Sequence, residues 1–273
     1  MIYSRQHSVS VTKDGYIEQF GSIEKARLCC FNIGAGTWQH EAWTNIDLPP
    51  QSEEFAKIQA PCIYHDLVAS ENLPISPGSA ELIFTSHVIE HLPDSHVRKL
   101  FQSAAKSLKK GGLFRVVTGP DADTDWAALR RQDARWWYFF DDLEISKAVA
   151  QYGPLKNEDK WLYHLATPRS PYSETPCERK YYSHQLEDLF KKHESNPELI
   201  WDKLTSGLEF NLDFPGDHLS WWNADKLSSC LSDCGFSQVK ISAYGQSSSV
   251  FMRDLEYFDT TYPQISLYVE AIR

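Results

Sequence analysis

The stretch Leu28–Gly36, LCCFNIGAG, is an apolar run that ends in two glycines one residue apart. Such a run reads as a buried strand. A strand that breaks into Gly-x-Gly opens a turn whose backbone N–H groups can approach a ligand closely, because glycine carries no Cβ. Two further apolar segments close on carboxylates, Asp47 in TNIDL and Asp66 in IYHDL. An acidic residue at the end of the strand after such a turn is placed to accept both hydroxyls of a ribose, and Asp66 is placed to accept a hydrogen bond from an adenine amino group. The glycines alone allow a plain structural turn, and either aspartate alone allows a surface residue capping a loop. Together they point to a nucleoside-containing cofactor.

From 28 to 118 the chain alternates strand and helix signals, with strands expected at 28–33, 43–47, 62–65, 80–85 and 113–118. This alternation predicts βαβ units and a parallel sheet. Before the last strand, Pro93-Asp94-Ser95 opens a helix. Val97, Leu100, Phe101, Ala104 and Leu108 recur along it at helical spacing, and Gly111-Gly112 is read as its stop. From about 122 to 216 the periodicity is irregular and prolines are frequent, yet seven of the nine tryptophans fall between Trp126 and Trp222. That composition predicts a folded insertion or lid. Asn223 then reads as an N-cap, Leu227, Leu231 and Cys234 as one helix face, Gly235 as its end, and SQVKISAY and ISLYVEAI as strands. The expected organisation is one α/β domain over 1–273, with a core at 20–121 and 217–273 and the insertion at 122–216.

A net charge of −10 without a Lys/Arg-rich run disfavours DNA or RNA as a partner. No apolar segment approaches the roughly 20 residues that span a bilayer, so no membrane insertion is expected. The N-terminal MIYSRQHSVSVTKDG lacks the apolar region of a signal peptide, which makes the cytoplasm the expected location. The six cysteines contain no C-x-x-C pair and read as reduced and structural.

A dinucleotide fingerprint G-x-G-x-x-G requires glycine at position 39, which is Gln39. A nucleoside without packed phosphates needs no such glycine, which favours S-adenosylmethionine over NAD. The segment SHVIEHL holds His87-x-x-Glu90-His91, formally the inverted zinc-protease pattern. Because His87 follows an apparent strand, it sits at the carboxyl edge of the sheet, where ligands bind. A non-metal active-site role is preferred there, so no metal is expected. The alternatives are packing, or a zinc hydrolase built on His87, Glu90 and His91. The run Trp136–Phe140 is too consecutive for one amphipathic face and reads as the insertion's own core, with part of it available to wall a pocket. The segment His218–Trp222 precedes the last helix and is a second candidate for closing over the same edge.

In order, FNIGAGTW, TNIDLPP, YHDL, AELIFTSHVIEHL and GGLFRVVTGPD resemble a class I S-adenosylmethionine-dependent methyltransferase. The chain is similar to a bacterial branch associated with polysaccharide and cell-envelope biosynthesis, over 28–121 well and 217–273 fairly. The resemblance implies a Rossmann-like seven-stranded, mostly parallel sheet with helices on both faces, its last strand antiparallel and inserted between its neighbours. It implies that Gly34, Ala35 and Gly36 pass beneath the methionine part of the cofactor, beside Asn32. Asp47 would hold the ribose, Asp66 and Leu67 the adenine, and Ser86 and His87 would lie near the sulfonium. Departures fall at Asn32, where many members are acidic, and at Trp38, where a third glycine is common.

Methyl transfer from a sulfonium is an in-line displacement that leaves S-adenosylhomocysteine, and a hydroxyl nucleophile gains from a nearby base. His87 and His91 are the candidates, with Glu90 as an orienting group and Asp121 as a further carboxylate. The expected acceptor is a small hydroxylated molecule such as a sugar or sugar nucleotide. A catalytically silent cofactor-binding scaffold is the competing class, and a homodimer is a possible assembly.

Overall fold

The computed structural model describes residues 12–50, 62–133, 135–137, 150 and 153–273. The chain forms two compact units. A sheet unit comprises Met1–Val88, Asp94–Thr118 and Ala224–Arg273; a helical unit comprises Ile89–Pro93 and Gly119–Asn223.

The sheet unit carries β1 (Cys30–Ile33), β2 (Thr44–Asp47), β3 (Cys62–Tyr64), β4 (Ala80–Ser86), β5 (Leu108–Thr118), β6 (Gln238–Ile241) and β7 (Leu267–Ile272) in one sheet ordered β3-β2-β1-β4-β5-β7-β6. The first five strands pair in parallel, and β7 runs antiparallel between β5 and β6. This is the doubly wound, Rossmann-like arrangement expected. Every residue of β1 is buried, as a central parallel strand covered on both faces requires. The helix Asp94–Ser107 buries Val97, Leu100, Phe101 and Ala104, the stripe read from its spacing. The helix Ala224–Asp233 buries Leu227, Cys230 and Leu231. Two helices that the apolar pattern did not announce, Lys13–Phe20 and Ile23–Arg27, precede β1. Tyr16 on the first is 1% exposed and its hydroxyl accepts from Trp43 Nε1 at 2.9 Å.

One boundary differs from expectation. Leu108 ends no helix but opens β5 opposite Ala80, after which the register jumps to Leu82 against Leu113. Gly111-Gly112 therefore lies in a bulge, where the Gly111 N–H donates to the Arg273 carbonyl and the Arg273 N–H to Gly112. Backbone crowds this point: a Cβ on Gly112 would stand 3.0 Å from the Lys109 carbonyl oxygen. All six cysteines are free thiols. No described helix is long and apolar enough to cross a membrane.

The helical unit contains Ala122–Arg130, Asn157–Leu165, Ser183–Lys192 and Glu198–Thr205, with single 3-10 turns at Ile89–His91 and Thr167–Arg169. Trp137, Trp161, Trp201 and Trp221 are buried together with Leu162, Leu186 and Leu204, and Trp126 and Trp136 pack against them. The aromatic run thus contributes Trp136 and Trp137 to a core of its own, while Tyr138, Phe139 and Phe140 lie outside the described residues.

Arg115, fully buried in β5, ties the sheet unit together. Its Nε and Nη2 donate to the two Asp259 carboxylate oxygens at 3.0 and 2.6 Å. Nη1 donates to Glu270 Oε1 and Ser242 Oγ, both at 3.1 Å, and Nη2 also reaches the Ala243 carbonyl at 3.0 Å. All five N–H donors of the guanidinium are thereby used. Replacing Arg115 by Met strands two buried carboxylates, and denaturant unfolding is expected to show a loss of about 3–5 kcal/mol. Lysine should not restore stability, because it lacks the planar fork; a loss below about 1 kcal/mol for the Met variant would contradict this account.

His40 supplies a pH-dependent component. It packs on Tyr16 and Tyr257, its Nδ1 accepts the Ala42 N–H at 3.0 Å, and burial pushes its pKa down to about 4. Because the folded value lies below the ordinary 6.5, acid protonates the unfolded chain first. His40's contribution is whole above pH 6.5 and is lost as pH falls towards about 4. Unfolding measured across that window should show a shallower pH slope for His40→Gln than for the unchanged protein, and parallel curves would contradict the assignment.

Candidate functional site

The glycine turn leaves β1 at Ile33 and is fixed to β2 by the Gly34 N–H, which donates to the Ile46 carbonyl at 2.8 Å. Gly34 and Gly36 have φ of +68° and +55°, where side chains other than glycine are disfavoured. Their surroundings differ. A Cβ on Gly34 would stand 2.2 Å from Val88 Cγ2, whereas a Cβ on Gly36 would meet nothing within 4 Å. Gly34 is demanded by packing, while Gly36 faces open space that a ligand can fill. Ala35 between them is buried, and so is Asn32 in the middle of β1.

Asp47, at the end of β2, turns its carboxylate onto this loop. Oδ2 accepts the Gly36 N–H at 2.5 Å and Oδ1 accepts the Leu48 N–H at 2.7 Å. Each oxygen keeps a second acceptor site. Asp66 follows β3, which pairs with β2 through Asp47 and Tyr64. Its Oδ1 caps the turn containing Leu67 by accepting the N–H groups of Val68 and Ala69 at 2.7 and 3.0 Å. Among the described residues no hydrogen bond reaches Oδ2. The strand order β3-β2-β1 therefore brings Asp66, Asp47 and the glycines to one carboxyl edge.

Ser86 ends β4 on that edge, opposite Val117. Its Oγ is buried and makes no hydrogen bond among the described residues. An orphaned hydroxyl and an open cradle over Gly36 are what a bound polar ligand would satisfy. His87 follows with φ +54°, a conformation costly outside glycine and frequent at functional sites. Its N–H donates to the Val117 carbonyl at 2.9 Å. Its Nε2 lies 2.9 Å from Ser266 Oγ and 3.2 Å from the Thr261 carbonyl. A carbonyl can only accept, so Nε2 carries a proton. Thr261 and Ser266, which hold this ring, were missed in the sequence: they sit in a polar connection far along the chain, with no motif to mark them.

A second constellation lies in the helical unit. Ligand atoms of Glu90, His91 and His218 all lie within 4.8 Å of one another. The segment 217–220 runs alongside the turn Ile89–His91: Leu219 N–H donates to the Glu90 carbonyl at 2.7 Å, and Ser220 Oγ to the Ile89 carbonyl at 2.9 Å. Glu90 is 1% exposed, and its Oε1 accepts from the Gly119 N–H at 3.4 Å. The His218 ring stacks on His164, and burial, followed by the neighbouring His91 and His164, holds it neutral well below the ordinary histidine range. Asp121, in the same unit, accepts from the Thr124 hydroxyl, and burial raises its carboxyl above the usual range.

Among the described residues, the group with metal-ligand side chains close together is Glu90, His91 and His218; His87 is not a member of it.

Residues 30–153 match the family model of a methyltransferase domain. No curated protein sequence matches the chain. Among solved structures, an S-adenosylmethionine-dependent methyltransferase from Mesorhizobium loti is similar at 16% identity and TM-score 0.42, over 93% of this chain and 99% of that one. One from Archaeoglobus fulgidus gives 12% identity and TM-score 0.41, over 94% and 98%. At such values no residue role, acceptor or partner is carried across from them. The matched span begins at the first residue of β1 and takes in the glycine turn, Asp47, Asp66, β4 and β5, so this part of the chain is similar to a methyltransferase domain.

Proposed function

We propose that the protein methylates a small hydroxylated acceptor, a sugar, sugar nucleotide or related metabolite, on oxygen. The observation that carries this reading is the open glycine turn with the Asp47 carboxylate drawn against it, inside the span that matches a methyltransferase domain. When bound, S-adenosylmethionine supplies a methyl group on a sulfonium and leaves as S-adenosylhomocysteine. In this reading Gly34, Ala35 and Gly36, with Asn32 beneath, seat the methionine part. The remaining acceptor sites of Asp47 take the ribose hydroxyls, and the uncommitted Oδ2 of Asp66, beside Leu67, takes the adenine amino group. Ser86 and His87 stand towards the sulfonium.

Attack by an acceptor oxygen forms the new C–O bond as the methyl–sulfur bond breaks, and the hydroxyl proton must go to a base. His91 suits this task because its Nδ1 faces a carbonyl, which leaves Nε2 as the nitrogen to take a proton. His87, Glu90 and Asp121 are the other candidates for the base. The net charge of −10 argues against a nucleic-acid acceptor. A cell-envelope setting follows only from the family resemblance.

A thermal-shift series with S-adenosylmethionine, S-adenosylhomocysteine and NAD tests the cofactor. Ligand at 100 times its Kd should stabilise by about 2.7 kcal/mol, and a shift with NAD alone would overturn the reading. Gly36→Ala is expected to cost only about 1–2 kcal/mol of stability, its left-handed backbone being the sole strain, yet to abolish the shift. Gly34→Ala should cost more, about 2–5 kcal/mol, because it adds overpacking against Val88. His91→Ala should lower turnover about 100-fold or more; unchanged turnover across an acceptor panel removes it as the base.

A further inference from the structure

We propose that Glu90, His91 and His218 form a binding site for one divalent transition-metal ion. Both imidazoles are oriented as metal ligands are. His91 Nδ1 lies 3.1 Å from the Asp217 carbonyl oxygen, and His218 Nδ1 is hydrogen-bonded to the His164 carbonyl. Carbonyl oxygens cannot donate, so each Nδ1 carries a proton, and Nε2 is the nitrogen that remains to ligate. An orienting partner on the second ring nitrogen is the usual companion of a metal-bound histidine, because it fixes both tautomer and ring direction.

The third ligand is a carboxylate on a residue that is 1% exposed, and burial of that charge is costly unless a cation or donors compensate it. Two imidazoles and one carboxylate suit zinc, iron, cobalt or manganese better than calcium or magnesium, which prefer all-oxygen shells. Tetrahedral ligands about 2.1 Å from an ion lie about 3.4 Å apart, so the group, within 4.8 Å as it stands, has to draw together by about an ångström to hold one. The supporting frame is stiff. Backbone and Ser220 hydrogen bonds join 217–220 to 89–91, and the His164 ring stacks on His218 with centroids 5.3 Å apart. Three protein ligands leave at least one position for water or an oxygen-bearing ligand.

The proposal does not depend on the methyl-transfer reading, except that an ion on His91 Nε2 takes the lone pair that a general base would need; its test reads metal rather than turnover. Tag-free protein, stripped with chelator, is titrated with Co2+ and Zn2+ by calorimetry and by visible absorption. One ion per chain is expected, with a Co2+ spectrum of nitrogen and oxygen ligation. His218→Ala, His91→Ala and Glu90→Gln should each weaken binding by at least the roughly 10–100-fold that loss of an orienting partner costs. His184→Ala, at an exposed histidine, should bind as the unchanged protein does. Absence of a saturable ion in the unchanged protein overturns the site. So does a sulfur-to-cobalt charge-transfer band, which would place the ion on a cysteine and is readable even where a variant fails to fold. Unweakened binding in folded His91 and His218 variants overturns it as well.

Discussion

A single buried guanidinium holds the sheet unit in the form its chemistry needs. Arg115 points from a central strand into an interior that would reject it unpaired, since burying an isolated charge is prohibitive. Asp259 and Glu270 resolve this by accepting from the fork, and Glu270 also accepts from Ser247 Oγ and the Ser248 N–H. Two buried carboxylates against one cation leave an excess negative charge, and these extra donors answer it. Glu270 stands directly opposite Arg115 in the β5–β7 pairing, so the ion pair and the antiparallel register specify each other. Asp259 anchors the connection that carries Thr261 and Ser266, the residues that grip His87. A charge placed for folding thus reaches the strained residue at the sheet edge.

Along that edge the division between structure and ligand binding is visible residue by residue. Gly34 is required by Val88 whether or not anything binds. Gly36 is not required by packing, and Asp47 is held against it by a backbone hydrogen bond that consumes only part of its acceptor capacity. Asp66 divides its two oxygens in the same way, one to its own turn and one left over. Asp47 and Asp66 remain part-buried.

The helical unit answers a different question. Its tryptophans pack on one another, and Asp125 accepts from Trp136 Nε1 at 2.7 Å, so the irregular stretch folds around a core of its own. Its ordered frame brings two histidines and a glutamate together from distant parts of the chain. Sequence periodicity offers no view of such a meeting, because Asp217, which orients His91, lies 126 residues away from it.

The residues by themselves determined the strands, the two glycines with their following aspartates, and the helix stripe from Val97 to Ala104. These depend on local period and on backbone demands that a single segment expresses. The extension of β5 back to Leu108 was not legible, since the glycine pair that reads as a stop in one dimension is a bulge once Glu81 lies across from it. Nor were the partners of Arg115, 144 and 155 residues away, or the capture of His87 by Ser266 and of His91 by the 217–220 segment. Only tertiary structure decided these, because buried charge and ring tautomer are settled by whichever donors and acceptors folding brings within about 3 Å.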